Sequence, residues 1–197
     1  INKKNQIGKT HTINPQNNLP NNSKIGLNEL VLEADKLAAK PTISKMLKHT
    51  LQNIKEVDFR KEADLNDESK TLKRKHYLIL VVECLLHEAK DLKLDFAYKN
   101  GSIYFYNRQY WEVVNEAEFN SFLGDAALKM GVDKFEAKFF KFKEELLKQF
   151  MADGNLKEVN PASNTILINL QNGTFEISDN GYYLREFQKE DFLIYQL

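Results

Sequence analysis

The spacing of apolar residues predicts a mainly helical first half of the chain. Apolar residues recur at helical spacing over 27–40 and again over 42–57. A longer helix is predicted at 68–92, and its middle, residues 77–86, is nearly all apolar. Such a middle is typical of the central helix of a bundle, which is buried on most of its sides. The polar and acidic segment 59–67 predicts a loop between the second and third helices.

Strand signals begin after residue 95. Aromatic β-formers flank Asn100-Gly101, and this dipeptide between two such runs is a strong hairpin signal. A further turn after Tyr106 leads into a strand at 110–114. The pattern therefore predicts a three-stranded meander.

Helices and then strands follow the meander. The helices are predicted at 116–130 and 133–151. Short apolar strands are predicted at 165–170, at 174–178 and from Tyr182 onward, separated by the dipeptides Asn-Gly. These strands predict a small closing antiparallel sheet.

Together these elements predict an α+β fold in three regions. Residues 1–25, rich in Asn and Lys, are expected to be a flexible arm or linker, or else an arm that docks on a neighbour. Residues 26–94 are expected to form a helical lobe. Residues 95–197 are expected to form an α+β domain of meander, two helices and closing sheet, whose element order would suit a winged-helix-like arrangement.

Composition adds limits on partners and compartment. The 28 basic and 28 acidic residues balance, so DNA contact would need a local basic patch. The lone cysteine, Cys84, indicates a reducing compartment, and we expect a cytoplasmic protein. The sequence contains no apolar run of the roughly 18–20 residues that a membrane helix needs, and no signal peptide is visible. Because the first residue is Ile1 rather than Met, we expect the chain to be internal to a longer protein.

Catalytic signatures are weak in this sequence. The phosphate-binding loop G-x-x-x-x-G-K-[ST] is absent, so we expect no ATP hydrolysis by this chain. Asp67 and Glu68 are interpreted as the start of the third helix rather than as metal ligands. His76, Glu83 and His87 could share one face of the third helix, and Cys84 lies one turn from His87, but zinc sites usually have more ligands and clearer spacing. The chain is therefore predicted not to be an enzyme by itself, and no catalytic, cofactor or metal residue is assigned.

Two basic clusters are the candidates for phosphate contact. Lysines of the second cluster alternate with phenylalanines, which predicts a core-facing stripe of Phe135, Phe139, Phe142 and Leu146 beside a lysine face. That face is either merely solvated or binds phosphate. The candidate residues are Lys73, Arg74 and Lys75 in the first cluster and Lys134, Lys138 and Lys141 in the second.

Tyrosines of the meander are a second candidate for nucleic-acid contact. Tyr104 and Tyr106 alternate with Ile103 and Phe105, so the two pairs should lie on opposite faces of the sheet. The tyrosine face either packs internally or stacks on bases of a single strand.

The second half of the chain resembles the segment that precedes the superfamily 3 helicase domain in phage, plasmid and poxvirus primase-helicases. The meander and following helix are similar to the family's tyrosine-rich pattern, and the closing segment is similar to its Asn-Gly and Asp-aromatic … Gln-Leu motif. Lys189 and Ile194 depart from that motif. The matching motif residues, expected to be structural, include Asn172, Gly173, Asp191, Phe192, Gln196 and Leu197.

The resemblance implies a non-catalytic accessory domain of a mobile-element DNA primase/helicase. The domain would couple to a downstream ATPase and bind DNA, single-stranded or forked, during replication. Its partners would be DNA, its own helicase domain and, in the full-length protein, further copies of itself. ATP and magnesium would belong only to the helicase domain. The alternative is a protein-docking or oligomerisation module without nucleic-acid contact, which the balanced charge favours.

Overall fold

The computed structural model describes residues 42–65, 67, 69–156 and 164–197. The chain divides into two units, residues 1–40 and 41–197, and all described residues belong to the second. The predicted arm at 1–25 and the predicted helix at 27–40 lie outside the described residues.

The predicted α+β fold is confirmed, with helices before and between two antiparallel sheets. Among the described helices, none has the length and apolar content needed to cross a membrane. The helices are α1 (Ile43–Asn53), α2 (Phe59–Glu62), α3 (Arg74–Asp91), α4 (Glu116–Lys129), α5 (Lys134–Lys138) and α6 (Phe140–Asp153). The strands are β1 (Asp95–Lys99), β2 (Ser102–Tyr106), β3 (Trp111–Val114), β4 (Ile166–Leu170), β5 (Gly173–Ser178) and β6 (Gly181–Arg185), and a 3₁₀ turn spans Lys189–Asp191.

Polar side chains fix where several helices begin. Asn115 Oδ1 accepts hydrogen bonds from the backbone N–H groups of Ala117 and Glu118, at 3.0 and 3.1 Å, and so caps α4. Asp133 caps α5 in the same way, and Asp58 caps α2. Each cap satisfies N–H groups that the first helical turn leaves without partners.

The structure corrects the predicted bounds in the helical half. The segment predicted as a loop at 59–67 contains α2, whose Phe59 is buried against Tyr77. The helix predicted from 68 begins only at Arg74, so Asp67 does not cap it; its carboxylate accepts a hydrogen bond from the N–H of Ser69 in a turn instead. The helix predicted to 57 ends at Asn53, because Ile54 is extended.

The buried faces of the helices enclose one large core. α3 contributes Val81, Val82, Leu85 and Ala89, so it is buried along one face rather than on most sides, and its Ile79 is 38% exposed. Residues of the other described helices and of β1, β2 and β3 also belong to this core. The core therefore combines side chains from both the helical and the mixed regions that the sequence pattern distinguishes.

Each sheet is an antiparallel meander of three strands, in the orders β1-β2-β3 and β4-β5-β6. In the first hairpin, Asn100 and Gly101 both have positive φ, 50° and 79°, as the predicted Asn-Gly turn requires. In the two closing hairpins the glycine instead begins the return strand: Leu170 pairs with Gly173, and Ser178 pairs with Gly181.

Candidate nucleic-acid interface

The start of α3 lies against the junction of α5 and α6. The Nε atom of Arg74 lies 3.2 Å from a carboxylate oxygen of Glu136 and 2.9 Å from one of Glu145. Its guanidinium carbon lies 5.9 Å from the ring centroid of Phe139 and 5.6 Å from that of Phe142. These contacts bring the two basic clusters, which are far apart in sequence, to neighbouring parts of the molecule.

Arg74 itself is occupied by protein contacts. Two carboxylates share its one positive charge, and two aromatic rings lie within cation–π range. Its side chain is 39% exposed, so solvent screens these pairs only in part. Arg74 therefore acts as the structural link between α3 and the α5–α6 junction rather than as a free cation.

The lysines on either side of this link are exposed. Within the described residues, none of them forms an ion pair. Their ammonium groups are free to contact an anionic partner, while Arg74 offsets Glu136 and Glu145 nearby. The exposed lysines are Lys73, Lys75, Lys134, Lys138 and Lys141.

Three phenylalanines at the same junction are also exposed, and sequence reasoning missed them. Phe135 is 82% exposed, Phe139 is 40% exposed and Phe140 is 56% exposed. Phe139 and Phe140 lie with ring centroids 5.0 Å apart. The predicted core stripe is therefore wrong for Phe135 and Phe139, although Phe142 and Leu146 are fully buried as predicted.

A break in the predicted helix 133–151 explains this exposure. Phe139 has φ −69° and ψ 128°, which is extended, so it ends α5 and precedes α6. The break resets the phase of the helical stripe, and residues predicted to share a face no longer do so. The adjacent pair Phe139-Phe140 was the one available signal, because neighbouring helical positions do not face the same way.

We name this region the Lys/Phe surface: the five exposed lysines above together with Phe135, Phe139 and Phe140. Exposed aromatic rings offer faces on which bases stack, and lysines contact phosphates without regard to sequence. The N-terminus of α6 also favours phosphate contact, because it has no side-chain cap and no acidic residue in its first turn. The arrangement is chemically suited to an unpaired polynucleotide strand.

The meander tyrosines have a different environment. The predicted alternation is confirmed, since Ile103 and Phe105 lie in the large core while Tyr106 packs with Trp111 on the other face. Tyr106 is 7% exposed, and burial raises its pKa to about 12. The ring of Tyr104 meets Phe192 edge-on, with centroids 4.9 Å apart. Base stacking on Tyr106 does not fit this placement, and Tyr104 is partly covered.

Four of the six named residues that match the primase-helicase pattern lie in the segment 189–197, which contacts both sheets. Asp191 accepts two hydrogen bonds of 2.8 Å from the guanidinium of Arg185. Phe192 packs on Trp111, and Lys99 Nζ lies 4.2 Å from its ring centroid. The amide of Gln196 donates to Leu170 O at 3.1 Å.

The remaining matching residues lie at or beside the closing sheet. The N–H of Leu197 donates to Asn169 O at 2.9 Å, beside strand β4. Asn172 lies in the exposed β4–β5 turn, and Gly173 begins β5. All six of these residues therefore lie in the closing sheet, in its first turn or in the segment that follows it.

Other side chains that could carry chemistry lie apart from one another in the described part of the molecule. Within the described part of the chain, no three His, Cys, Asp or Glu residues are grouped closely enough to hold a metal ion. Cys84 is partly buried, and burial, helped by the charges of Glu62, Glu83 and Glu88, raises its pKa. A thiol with a raised pKa is a poor nucleophile at neutral pH.

Comparison with protein-family models, with curated proteins and with solved structures found no match.

Proposed function

We propose that this chain is a non-catalytic accessory domain of a mobile-element DNA primase/helicase that contacts single-stranded DNA during replication. The observation that supports the DNA contact is the Lys/Phe surface, where exposed lysines and exposed phenylalanines meet at the α5–α6 junction. The resemblance of residues 98–197 to the segment before the superfamily 3 helicase supports the replication role. Coupling to an ATPase, with its nucleotide and magnesium, follows from the same resemblance.

Single strands are favoured over duplex by the aromatic part of the surface. Stacking requires a base face, which is accessible in an unpaired strand and covered in a duplex. Phosphate contact by the lysines would be independent of sequence and sensitive to salt. If three to five lysines each neutralise a phosphate, the slope of log K against log salt would be roughly −2 to −3.5.

The test is fluorescence anisotropy of a labelled oligodeoxythymidine titrated with the domain, at low and at physiological salt. We expect binding at low salt that weakens as salt rises. The double variants Lys73→Glu/Lys75→Glu and Lys138→Glu/Lys141→Glu should each lose most of this binding. Phe140→Ala should weaken binding to the single strand while leaving the salt slope unchanged, because it removes stacking and no charge.

A matched control is available on α1. Lys45 and Lys48 are both exposed there, and Lys45→Glu/Lys48→Glu makes the same change of charge away from the Lys/Phe surface. Equal losses in this control would show that net charge alone governs binding. Absence of binding at low salt would overturn the proposed DNA contact.

One observation favours the alternative, a docking module without nucleic-acid contact. The face of the closing sheet that carries Ile166, Ile177, Tyr182 and Leu184 leaves these side chains 60%, 37%, 76% and 47% exposed. This face bears no charge, so it is complementary to the same face of a second copy in a two-fold pair. Sedimentation velocity over a range of concentrations tests this: self-association that Tyr182→Lys abolishes, without DNA binding, would favour the alternative.

A further inference from the structure

A groove runs between α3 and the segment that connects α1 to α2, on a part of α3 that the Lys/Phe surface does not use. Its volume is about 710 Å³. Leu80, Cys84 and His87 follow one another along a single stripe of α3, at spacings of four and three residues, and form one wall. Val57 and Met130 add apolar surface from the other side.

The border of the groove is acidic. Five carboxylate residues line it against two lysines, Lys55 and Lys61. Within the described residues, none of the four glutamates forms an ion pair, whereas the aspartate caps α2. The carboxylate residues are Glu56, Asp58, Glu62, Glu83 and Glu88.

Three of these carboxylates influence the Cys84 thiol electrostatically. Burial raises the pKa of the Cys84 thiol, and the charges of Glu62, Glu83 and Glu88 raise it further, so the negative field of these three glutamates is felt at the wall of the groove. Such a field repels the phosphates of nucleic acid and attracts cations. The occupant must therefore combine positive charge with apolar surface.

We propose that this groove binds a basic amphipathic helix of a partner protein. The apolar side chains of the helix would lie against Leu80, Cys84 and Val57, and its flanking lysines or arginines would face the glutamates. This is the helix-in-groove mode of recognition, in which apolar anchors spaced three and four residues apart give affinity and complementary charges give orientation. The inference is independent of the proposed DNA contact, because it uses a different surface and the opposite sign of charge.

The first probe is a synthetic helical peptide of about 14 residues with leucines on one face and lysines on the other. Its fluorescein-labelled form is titrated with the domain and followed by anisotropy. Two comparison peptides keep the same spacing, one with glutamate in place of every lysine and one with alanine in place of every leucine. We expect the basic amphipathic peptide to bind and both comparison peptides to bind at least about tenfold more weakly.

Cys84 supplies a second readout, because it is the only cysteine in the chain. Maleimide labelling of this thiol should slow severalfold when the basic peptide is bound, since the peptide covers it. The comparison peptides at the same concentration should leave the labelling rate unchanged. Slowing of this reaction locates the peptide in the groove rather than elsewhere on the molecule.

Variants separate the groove from general charge attraction. The isosteric triple variant Glu62→Gln/Glu83→Gln/Glu88→Gln should weaken peptide binding about tenfold. Glu144, Glu186 and Glu190 are exposed and do not line the groove, so Glu144→Gln/Glu186→Gln/Glu190→Gln is the matched control and should leave binding unchanged. Equal effects of the two triple variants, no protection of Cys84, or equal binding of the alanine-substituted peptide would each overturn the proposal.

Discussion

At the scale of one residue, Gly173 occupies a position where a side chain would be both strained and crowded. Its φ is +151°, a conformation that side chains rarely adopt, and a Cβ at this position would lie 2.5 Å from the carbonyl oxygen of Arg185. Gly181, at the equivalent position of the next hairpin, has φ +118°, but a Cβ there would meet no atom within 4 Å. The two glycines share a similar backbone requirement and differ in available space.

Gly173→Ala should therefore cost more stability than Gly181→Ala. Strain at an unfavourable φ costs roughly 1–3 kcal/mol at either site. The collision with the β6 backbone adds a further cost only at Gly173, because the strand pairing must shift to relieve it. Urea unfolding of both variants measures the difference, and equal losses would contradict the steric argument.

The raised pKa of Tyr106 predicts how the stability of the fold changes at alkaline pH. Its pKa is raised to about 12 in the folded state because burial disfavours the phenolate, with smaller contributions from Glu190 and Asp191. The unfolded value is near 10, so the folded state binds the proton more tightly, and its contribution to stability is complete below pH 10. That contribution should be lost as pH rises from about 10 to about 12. Thermal unfolding across this range should show a smaller loss for Tyr106→Phe than for the unsubstituted chain, and parallel losses would contradict this assignment.

At the scale of elements, caps decide where helices begin more sharply than apolar spacing does. The side chain of Asn115 bonds two N–H groups at the start of α4, whose inner face packs into the large core. We expect Asn115→Ala to lower the free energy of unfolding by about 1 kcal/mol. Asn115→Asp keeps the acceptor and adds a charge that the positive end of the helix favours, so it should be neutral or stabilising. Chemical denaturation measures both, and equal destabilisation by the two substitutions would show that the cap is not responsible.

Local signals in the sequence were sufficient for the strands and insufficient for several helix boundaries. Asn100-Gly101 between aromatic residues specifies its hairpin by backbone conformation alone, so the pattern and the structure agree there. No glycine or proline in the sequence marks the break at Phe139. It coincides with the contacts that Arg74 makes to Phe139, Glu136 and Glu145, and such contacts join segments distant in sequence.

The candidate site was predictable in its charges and unpredictable in its geometry. Lys73, Lys75, Lys138 and their neighbours were visible as two clusters, because lysine runs are a property of the sequence. Their proximity depends on packing of α3 against α6, which no local pattern encodes. The exposure of Phe140 likewise follows from the tertiary position of the helix break rather than from its composition.

At the scale of the whole molecule, the final residues join the two sheets. Trp111, on the edge strand β3, donates from its indole Nε1 to Lys189 O and from its backbone N–H to Leu193 O, both at 2.8 Å. Later in the same segment, the carbonyl oxygen of Tyr195 accepts a hydrogen bond of 2.8 Å from the side-chain amide of Asn169, which lies in the second sheet. Lys189 Nζ also lies 2.5 Å from a carboxylate oxygen of Asp95 in the first sheet. One short segment thus makes hydrogen bonds with both sheets.

Phe192 is the apolar part of this junction, and its removal tests the junction directly. Its ring packs 5.4 Å from that of Trp111 and 4.9 Å from that of Tyr104, on the face opposite the large core. Because Phe192 is only partly buried, Phe192→Ala should lower the free energy of unfolding by about 1–2 kcal/mol, less than the loss for a fully buried ring. Trp111 is the only tryptophan, so its emission should shift to longer wavelength as water reaches the indole.

Ile194→Ala is the control: Ile194 lies two residues further along the same segment and is 53% exposed, so both the free energy of unfolding and the emission wavelength should stay unchanged. If Phe192→Ala left the emission of Trp111 unshifted, the final segment would not cover the first sheet in solution. The tyrosine face of that sheet, including Tyr106, would then be open to a partner. The burial of Tyr106 is the main reason for preferring the Lys/Phe surface to the meander as the single-strand contact, and that reason would no longer hold.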